Sequence, residues 1–289
     1  MNKPLLPKKL YNFDVTKFIK DALKEDVGNG DHTSLACIPK TARGKAHILV
    51  KDTGIIAGVD LALVIFNTVD SKLKINLFIK DGSKVKPNDV VLTVTGNSRS
   101  ILLAERLVLN CMQRMSGIAT YTNKLTKLCK GTHTKVIDTR KTTPNLRGLE
   151  KWAVLIGGGA NHRIGLYDMV LIKDNHIDYA GGISQAIEAT NQYLKSTRKK
   201  LRIEIETRGL GEVKQVLAAG QVDRIMLDNF TISDIKKALK LINGKYETEA
   251  SGGITEHTIR DYAKCGVDYI SVGALTHSVK SLDLSLKAI

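Results

Sequence analysis

Four cysteines, five prolines and a single tryptophan are all that this 289-residue chain holds of three residue types that often mark a special architecture. The cysteines, Cys37, Cys111, Cys129 and Cys265, form no CxxC pair and have no zinc-knuckle spacing. That excludes a disulfide-stapled scaffold and a structural zinc module, and it suits a reducing cytoplasm. Aromatic residues are only 5% of the chain and are not interleaved with the cations, so the stacking platforms of a nucleic-acid groove are missing. No apolar run approaches the roughly 18 residues of a membrane helix. The opening MNKPLLPKKLYNF has no apolar core like that of a signal peptide. The expectation is a cytoplasmic protein without a membrane or nucleic-acid partner.

Negative charge is scarce as well. Against 44 Lys and Arg stand 29 Asp and Glu, a formal net charge of +15, which calls for an anionic partner. With nucleic acid and membrane disfavoured, a small polyanion remains. The bulk composition, 43% hydrophobic and 25% charged, is that of a globular protein, and the length suffices for one or two domains with a large core.

The first hundred residues read differently from the rest. Short β-branched runs, AHILV at 46–50, KINLFI at 74–79 and VVLTVTG at 90–96, alternate with helical spacing at 14–24 and 58–69. This predicts a small α/β sandwich over residues 1–116, with the tail 277–289 packed on it. Residues 100–129 read as a long helical stretch with one break at Ser116-Gly117. Beyond it, VIDTRK, MVLIKDN, RIEIET, RIMLDN, YETEASGG and YISVGAL repeat a strand with a polar end, followed by helical spacing. Six such units over 117–276 are too few for a complete eight-unit barrel of about 250 residues. A reduced α/β barrel or an open doubly wound sheet fits the length. The barrel is favoured because every strand ends in polar groups at one edge, where active sites of such folds lie.

The charges at that edge sort by sign. Arg140, Lys141, Arg147, His162, Arg163 and Lys173 crowd the ends of the first two units, a density suited to a ligand with several anionic groups. Glu204 and Glu206 share one face of their strand, with Ile203 and Ile205 on the other. Glu206, with Asp228 ending the next strand, suits Mg²⁺ and ribose hydroxyls, since magnesium takes hard oxygen ligands. For Glu204 a structural ion pair is an equal reading. The glycine turn at Ser251, Gly252 and Gly253, together with Gly273, leads into helix starts and suits a phosphate. Lys195, Arg198, Lys199, Lys200 and Arg202 read as a solvated helix end.

DTRKTTPNLR at 138–147, GGGANHRIGLYDMVLIKDNHI at 157–177, then EIE, LDNF, EASGGI and VGALTHS resemble the quinolinate phosphoribosyltransferase family, and EDVGNGDHTS at 25–34 and AERLVLNCMQRMSGIAT at 104–120 extend the resemblance over nearly the whole chain. Asn145 stands where the family commonly has glycine, and Asn tolerates left-handed backbone better than most residues. The resemblance implies an N-terminal α/β sandwich plus an incomplete, seven-stranded α/β barrel of TIM-like type. It implies a pentosyltransferase that joins quinolinate and 5-phosphoribosyl 1-pyrophosphate, with Mg²⁺, into nicotinate mononucleotide, pyrophosphate and CO₂ in NAD biosynthesis. By motif position, Arg140, Lys141, His162, Arg163 and Lys173 hold quinolinate, with Arg106 reaching in from the other subunit of a homodimer, alone or within a higher oligomer. Lys141, Lys173, Glu206, Asp228, Ser251, Gly252, Gly253 and Gly273 meet the phosphoribosyl donor. Lys141, Lys173, Glu206 and Asp228 are the implied catalytic groups, and Glu206 and Asp228 the metal ligands, directly or through water and ribose hydroxyls. A relative acting on another pyridine or pyrimidine-like acid is the alternative.

Overall fold

The computed structural model of the chain describes residues 13–289, and the segment before them, on which the reading of a missing leader rests, lies outside the described residues. Along the chain come α1 (Val15–Val27), α2 (His32–Cys37), β1 (Arg43–Val50), β2 (Gly54–Ile55), α3 (Val59–Val69), β3 (Lys74–Leu77), β4 (Lys84–Val85), β5 (Val90–Asn97) and α4 (Ser98–Leu128). They are followed by β6 (Lys135–Ile137), α5 (Arg147–Ile156), β7 (Val170–Ile172), α6 (Asp174–Ala180), α7 (Ile183–Ser196), β8 (Ile203–Thr207) and α8 (Leu210–Ala219). The last elements are β9 (Arg224–Asp228), α9 (Ile232–Ile242), β10 (Glu247–Ser251), α10 (Ile259–Lys264), β11 (Tyr269–Ser271), α11 (Ala274–His277) and β12 (Leu284–Ala288). Two compact units divide them: residues up to 123 with 142–158 and 275–289, and residues 124–141 with 159–274.

In the first unit an antiparallel sheet runs β12-β1-β5-β3, with β2 and β4 as a separate ribbon. Strand alternation sets its core face: Ala46, Ile48 and Val50 of β1 are buried, while Lys45, His47 and Leu49 between them are less so. Ile48 faces Leu92 of β5, and on the other side β12 pairs from Ala46↔Ala288 to Val50↔Leu284. Asp14 caps α1 by accepting the Lys17 N–H at 2.9 Å. Asp81 does the same for α3, taking the Val59 and Asp60 N–H groups at 2.8 and 3.1 Å.

The expected break at Ser116-Gly117 is absent, and α4 runs unbroken from Ser98 to Leu128. Both residues serve packing instead. Ser116 Oγ accepts the Ala57 N–H at 2.8 Å, and a Cβ at Gly117 would lie 2.3 Å from the Lys280 carbonyl oxygen. A small residue is needed there for close approach.

The second unit holds a six-stranded sheet in the order β6-β11-β10-β9-β8-β7, every pairing parallel. Consecutive strands from β7 to β11 are neighbours, each joined by helix, as successive βα units dictate. Among the described residues β6 and β7 end the series without pairing, and a parallel bridge between Ile137 and Ala160 adds one rung beyond β6. The seventh strand expected for the incomplete barrel is thus reduced to Ala160. One face carries Ile203, Ile205, Ile225, Leu227, Ala250 and Ile270, all buried. The other face carries Glu204, Glu206, Arg224, Met226, Glu249, Ser251 and Ser271, in rows fixed by the registers Glu204↔Arg224, Glu206↔Met226 and Met226↔Glu249. One side of the sheet is therefore apolar and the other is charged, although Glu204 and Glu249 on the charged side have no exposed surface.

Candidate active site

The site occupies the C-terminal ends of the parallel strands, where the polar residues of each unit emerge. Asp138 follows β6 and is fully buried. Its carboxylate accepts the His162 N–H at 3.0 Å and the Asn161 side-chain amide at 2.5 Å, and its own N–H donates to the Ala160 carbonyl. The DTRK strand end is thereby tied to the NHR segment, which brings Arg140 and Arg163 together. No role had been assigned to Asp138 from the sequence, although it opens the cationic motif.

Arg163 is half-buried. Burial, and then the like charge of Arg140, hold its guanidinium below the usual arginine range. Its Nη1 donates to the Met169 carbonyl at 3.3 Å, while its buried Nε makes no hydrogen bond in the protein. Two guanidiniums that feel each other's charge, one with an unused donor, have the chemistry to take an anion with two charges.

Lys173 follows β7. Its N–H donates to His176 Nδ1 at 3.0 Å, and its Nζ reaches Glu206 Oε2 at 3.1 Å. The cationic and acidic strand ends therefore meet. Asp228 ends β9 on the same face as Glu206, two residues beyond its register row, and accepts the Asn229 amide at 2.6 Å. Both offer hard oxygens to a cation that keeps waters.

Ser251 pairs with Asp228, and its carbonyl accepts the Asn229 N–H at 2.9 Å. Gly252 follows at φ +94°, where a Cβ would meet the Asn229 backbone nitrogen at 2.8 Å, and Gly253 follows at φ +60°. Only glycine fits the first of these positions, and the turn leaves backbone free to face an anion. Gly273 lies between β11 and α11. Asn145 adopts φ 63°, the left-handed backbone its side chain tolerates.

His162 is placed differently from the other cations. Its side chain is buried, with Nε2 at 3.0 Å from Glu204 and 3.5 Å from Glu249. Arg224 completes this cluster, 3.2 Å from Glu249, 3.0 Å from Glu247 and 3.9 Å over the Tyr269 ring. Burial and the neighbouring Glu204 push Glu249 up to about 8, and burial raises Glu204 as well. The structural ion-pair reading of Glu204 holds, but Arg224 and Glu249 were missed. Alternation assigns each of them a face of its own strand, but only the register of β8, β9 and β10 brings them to one level.

Two cationic candidates belong to the first unit. Arg106 stands exposed on α4. Arg147 starts α5 and donates from Nε to Thr142 at 3.0 Å. Behind it, buried Glu150 accepts from Arg114 and from both the N–H and the hydroxyl of Thr143, tying down the segment that follows Lys141. The 195–202 run is exposed at its cations, as expected of a solvated helix end.

The chain matches the family model described as quinolinate phosphoribosyl transferase, N-terminal domain, over residues 31–116, and the corresponding C-terminal domain over 118–287. Among similar proteins are quinolinate phosphoribosyltransferase [decarboxylating] 2b, mitochondrial, of Nicotiana tabacum, 48% identical over 95% of this chain and 82% of the relative, and a probable nicotinate-nucleotide pyrophosphorylase [carboxylating] of Bacillus subtilis, 40% identical over 95% and 93%. The solved nicotinate-nucleotide pyrophosphorylase from Francisella tularensis superposes with a TM-score of 0.89 at 40% identity, covering 100% of both chains. With both domain models matched in order and identity sustained over nearly the full length, the chain belongs to the quinolinate phosphoribosyltransferase family.

Proposed function

We propose that this protein joins quinolinate to 5-phosphoribosyl 1-pyrophosphate, releasing pyrophosphate and CO₂ and forming nicotinate mononucleotide. The observation that carries the reading is the juxtaposition of Arg163 with Arg140, with Lys173 on the next strand end paired to Glu206. Like charges held together in a partly dry site are costly alone and favourable around two carboxylates on one ring. A ring with one carboxylate would use half of that field.

In this reading Arg140, Arg163 and Lys173 orient the dicarboxylate, with Arg106 supplied by the partner of a homodimer, and Lys141 lies between the ring and the donor. The glycine turn at Ser251, Gly252 and Gly253, with Gly273, receives the 5-phosphate. Attack of the ring nitrogen on the anomeric carbon breaks the bond to pyrophosphate, and the ribose passes through oxocarbenium character that Glu206 and Asp228 stabilise. The product pyridinium then loses its 2-carboxylate as CO₂, because the electron pair left at that carbon lies beside N⁺, and a proton takes its place. Glu206 and Asp228 would hold Mg²⁺, directly or through water and ribose hydroxyls, and the ion would balance charge on the departing pyrophosphate. No covalent enzyme intermediate is needed. All four cysteines are free thiols, which supports work in a reducing cytoplasm.

The test is release of labelled CO₂ from quinolinate carrying the label in its 2-carboxylate. Release should require the donor and Mg²⁺. Turnover of nicotinate at an equal rate, or no CO₂ at all, would overturn the reading.

A further inference from the structure

His162 lies in the cationic stretch, yet its contacts are not those of a cation facing an anion. Its Nδ1 accepts the Arg163 N–H at 2.7 Å. A ring nitrogen that accepts a hydrogen bond carries no proton, so the ring proton resides on Nε2, which lies 3.0 Å from Glu204 and 3.5 Å from Glu249. The side chain is 5% exposed and both carboxylates are fully buried. Meanwhile the His162 N–H is held by Asp138 at 3.0 Å. His162 is therefore held through its backbone N–H by Asp138, its ring lies with Nε2 against Glu204 as a close charge contact without hydrogen-bond geometry, and its Nδ1 accepts from the Arg163 backbone.

We infer that Glu204, backed by Glu249, is a positioning residue for quinolinate, acting through a neutral His162 that fixes the backbone of Arg163. The carboxylate lies 3.0 Å from Nε2 without hydrogen-bond geometry, and its negative field favours the proton on that nitrogen, as the partner of one imidazole nitrogen decides the state of the other. That tautomer leaves Nδ1 to accept from Arg163. The arginine fork then points at the dicarboxylate from a fixed root, which matters because a bidentate contact is lost by small misplacement. Charge for the substrate comes from Arg140, Arg163 and Lys173, and His162 contributes none. The inference rests on the quinolinate reading, and its test is built so that the two can fail separately.

Four single variants decide it: His162→Asn, His162→Lys, Glu204→Gln and Glu204→Leu. An Asn oxygen can accept the N–H of the next residue, as the Asp174 carboxylate does from Asn175 at 2.7 Å in this same chain. Lysine keeps positive charge and cannot accept. The expected order is a quinolinate KM raised only a few-fold in His162→Asn but by about thirty-fold or more in His162→Lys. The KM for the phosphoribosyl donor should stay within about two-fold of wild type in both. Glu204→Gln retains an acceptor oxygen for Nε2–H and should stay near wild type, whereas Glu204→Leu should raise the quinolinate KM by about ten-fold with donor KM unmoved. Should Glu204→Leu fail to fold, the His162 pair carries the decision alone. His162→Lys binding quinolinate better than His162→Asn would overturn the inference. So would a folded Glu204→Leu with unchanged quinolinate KM, or equal losses in Glu204→Gln and Glu204→Leu. Failure of wild type to release CO₂ would instead sink the parent reading.

Discussion

Arg224 offers the sharpest stability test, because its guanidinium lies within 4 Å of both Glu204 and Glu249. Its Nη1 lies 3.2 Å from Glu249 and 3.7 Å from Glu204, its Nη2 3.0 Å from Glu247, and its side chain is 8% exposed. Arg224→Met keeps most of the volume and removes the charge. Breaking a buried pair costs about 3–5 kcal/mol when the remaining carboxylate stays ionised. It need not stay ionised. Glu249 has its folded value raised from 4.5 to about 8, so its contribution to stability is fully present below about pH 4.5 and is lost as pH rises through about 8. At pH 6 the Glu249 carboxyl is already protonated in wild type, and losing Arg224 should cost about 1–2 kcal/mol, mainly the contacts to Glu247 and Tyr269. At pH 9 wild-type Glu249 is ionised against Arg224, and the variant has no such partner. The loss should then be larger than at pH 6, with about 3–5 kcal/mol as its ceiling, because without Arg224 the Glu249 carboxyl rises further and can relieve part of the cost by taking up a proton. Urea unfolding at the two pH values measures both numbers. Equal losses at pH 6 and 9, or a variant as stable as wild type at pH 9, would refute the reasoning.

Lys141→Ala and Arg163→Ala should each lower kcat/KM by at least about 100-fold, on the order of 3 kcal/mol, with Tm nearly unchanged; activity that falls only in step with Tm would remove them from the site. Glu206→Gln and Asp228→Asn should slow nucleotide formation more than they weaken quinolinate binding, and equilibrium titration showing the reverse would end their assignment to the ribosyl cation and metal. Asp81, raised from 3.8 to about 6 chiefly by burial, gives stability that is present below about pH 4 and lost as pH rises through about 6. Asp81→Asn should flatten the stability profile over that window, by at most about 3 kcal/mol, while still capping α3, and an unchanged slope would show that the group is not titrating there. For the shared-site dimer, Arg106→Ala and Lys141→Ala, each nearly inactive, should on refolding together recover about a quarter of wild-type activity. Proven subunit exchange without recovery would mean that Arg106 does not serve the partner's site.

The strand ends were legible because parallel strands buried on one face advertise themselves as apolar runs, and a polar residue closing each run marks the open edge. RIEIE, RIMLD and ETEAS landed on β8, β9 and β10 for that reason. The alternation of glutamate with isoleucine likewise foretold which side chains share a face. What alternation could not reveal was the lumen's chemistry. Glu249 and Arg224 read as ordinary surface charges until register brings them to one level, and register is a tertiary property. The same limit explains His162, whose neighbours come from strands far along the chain. The supposed helix break failed for another reason: Gly117 signals close approach in the interior of a long helix as readily as an end. Strand β12 went unread because LSLKA is too short to stand out without its partner.

That last strand has a consequence for how the molecule is made. β12 forms the outer rung beside β1, with Leu284 facing Val50, so the sheet begun by the earliest strand is finished by one of the latest. During ribosomal synthesis β1 and β5 can associate early, but the β1 flank stays bare while the entire parallel-stranded unit is still being translated. A bare flank invites pairing with a second nascent chain. Pulse-labelled chains stalled before residue 284 should therefore self-associate on polysomes, and those stalled after residue 289 with a spacer should not. The order of translation, rather than the strength of any one contact, sets how long the β1 flank waits for its partner strand.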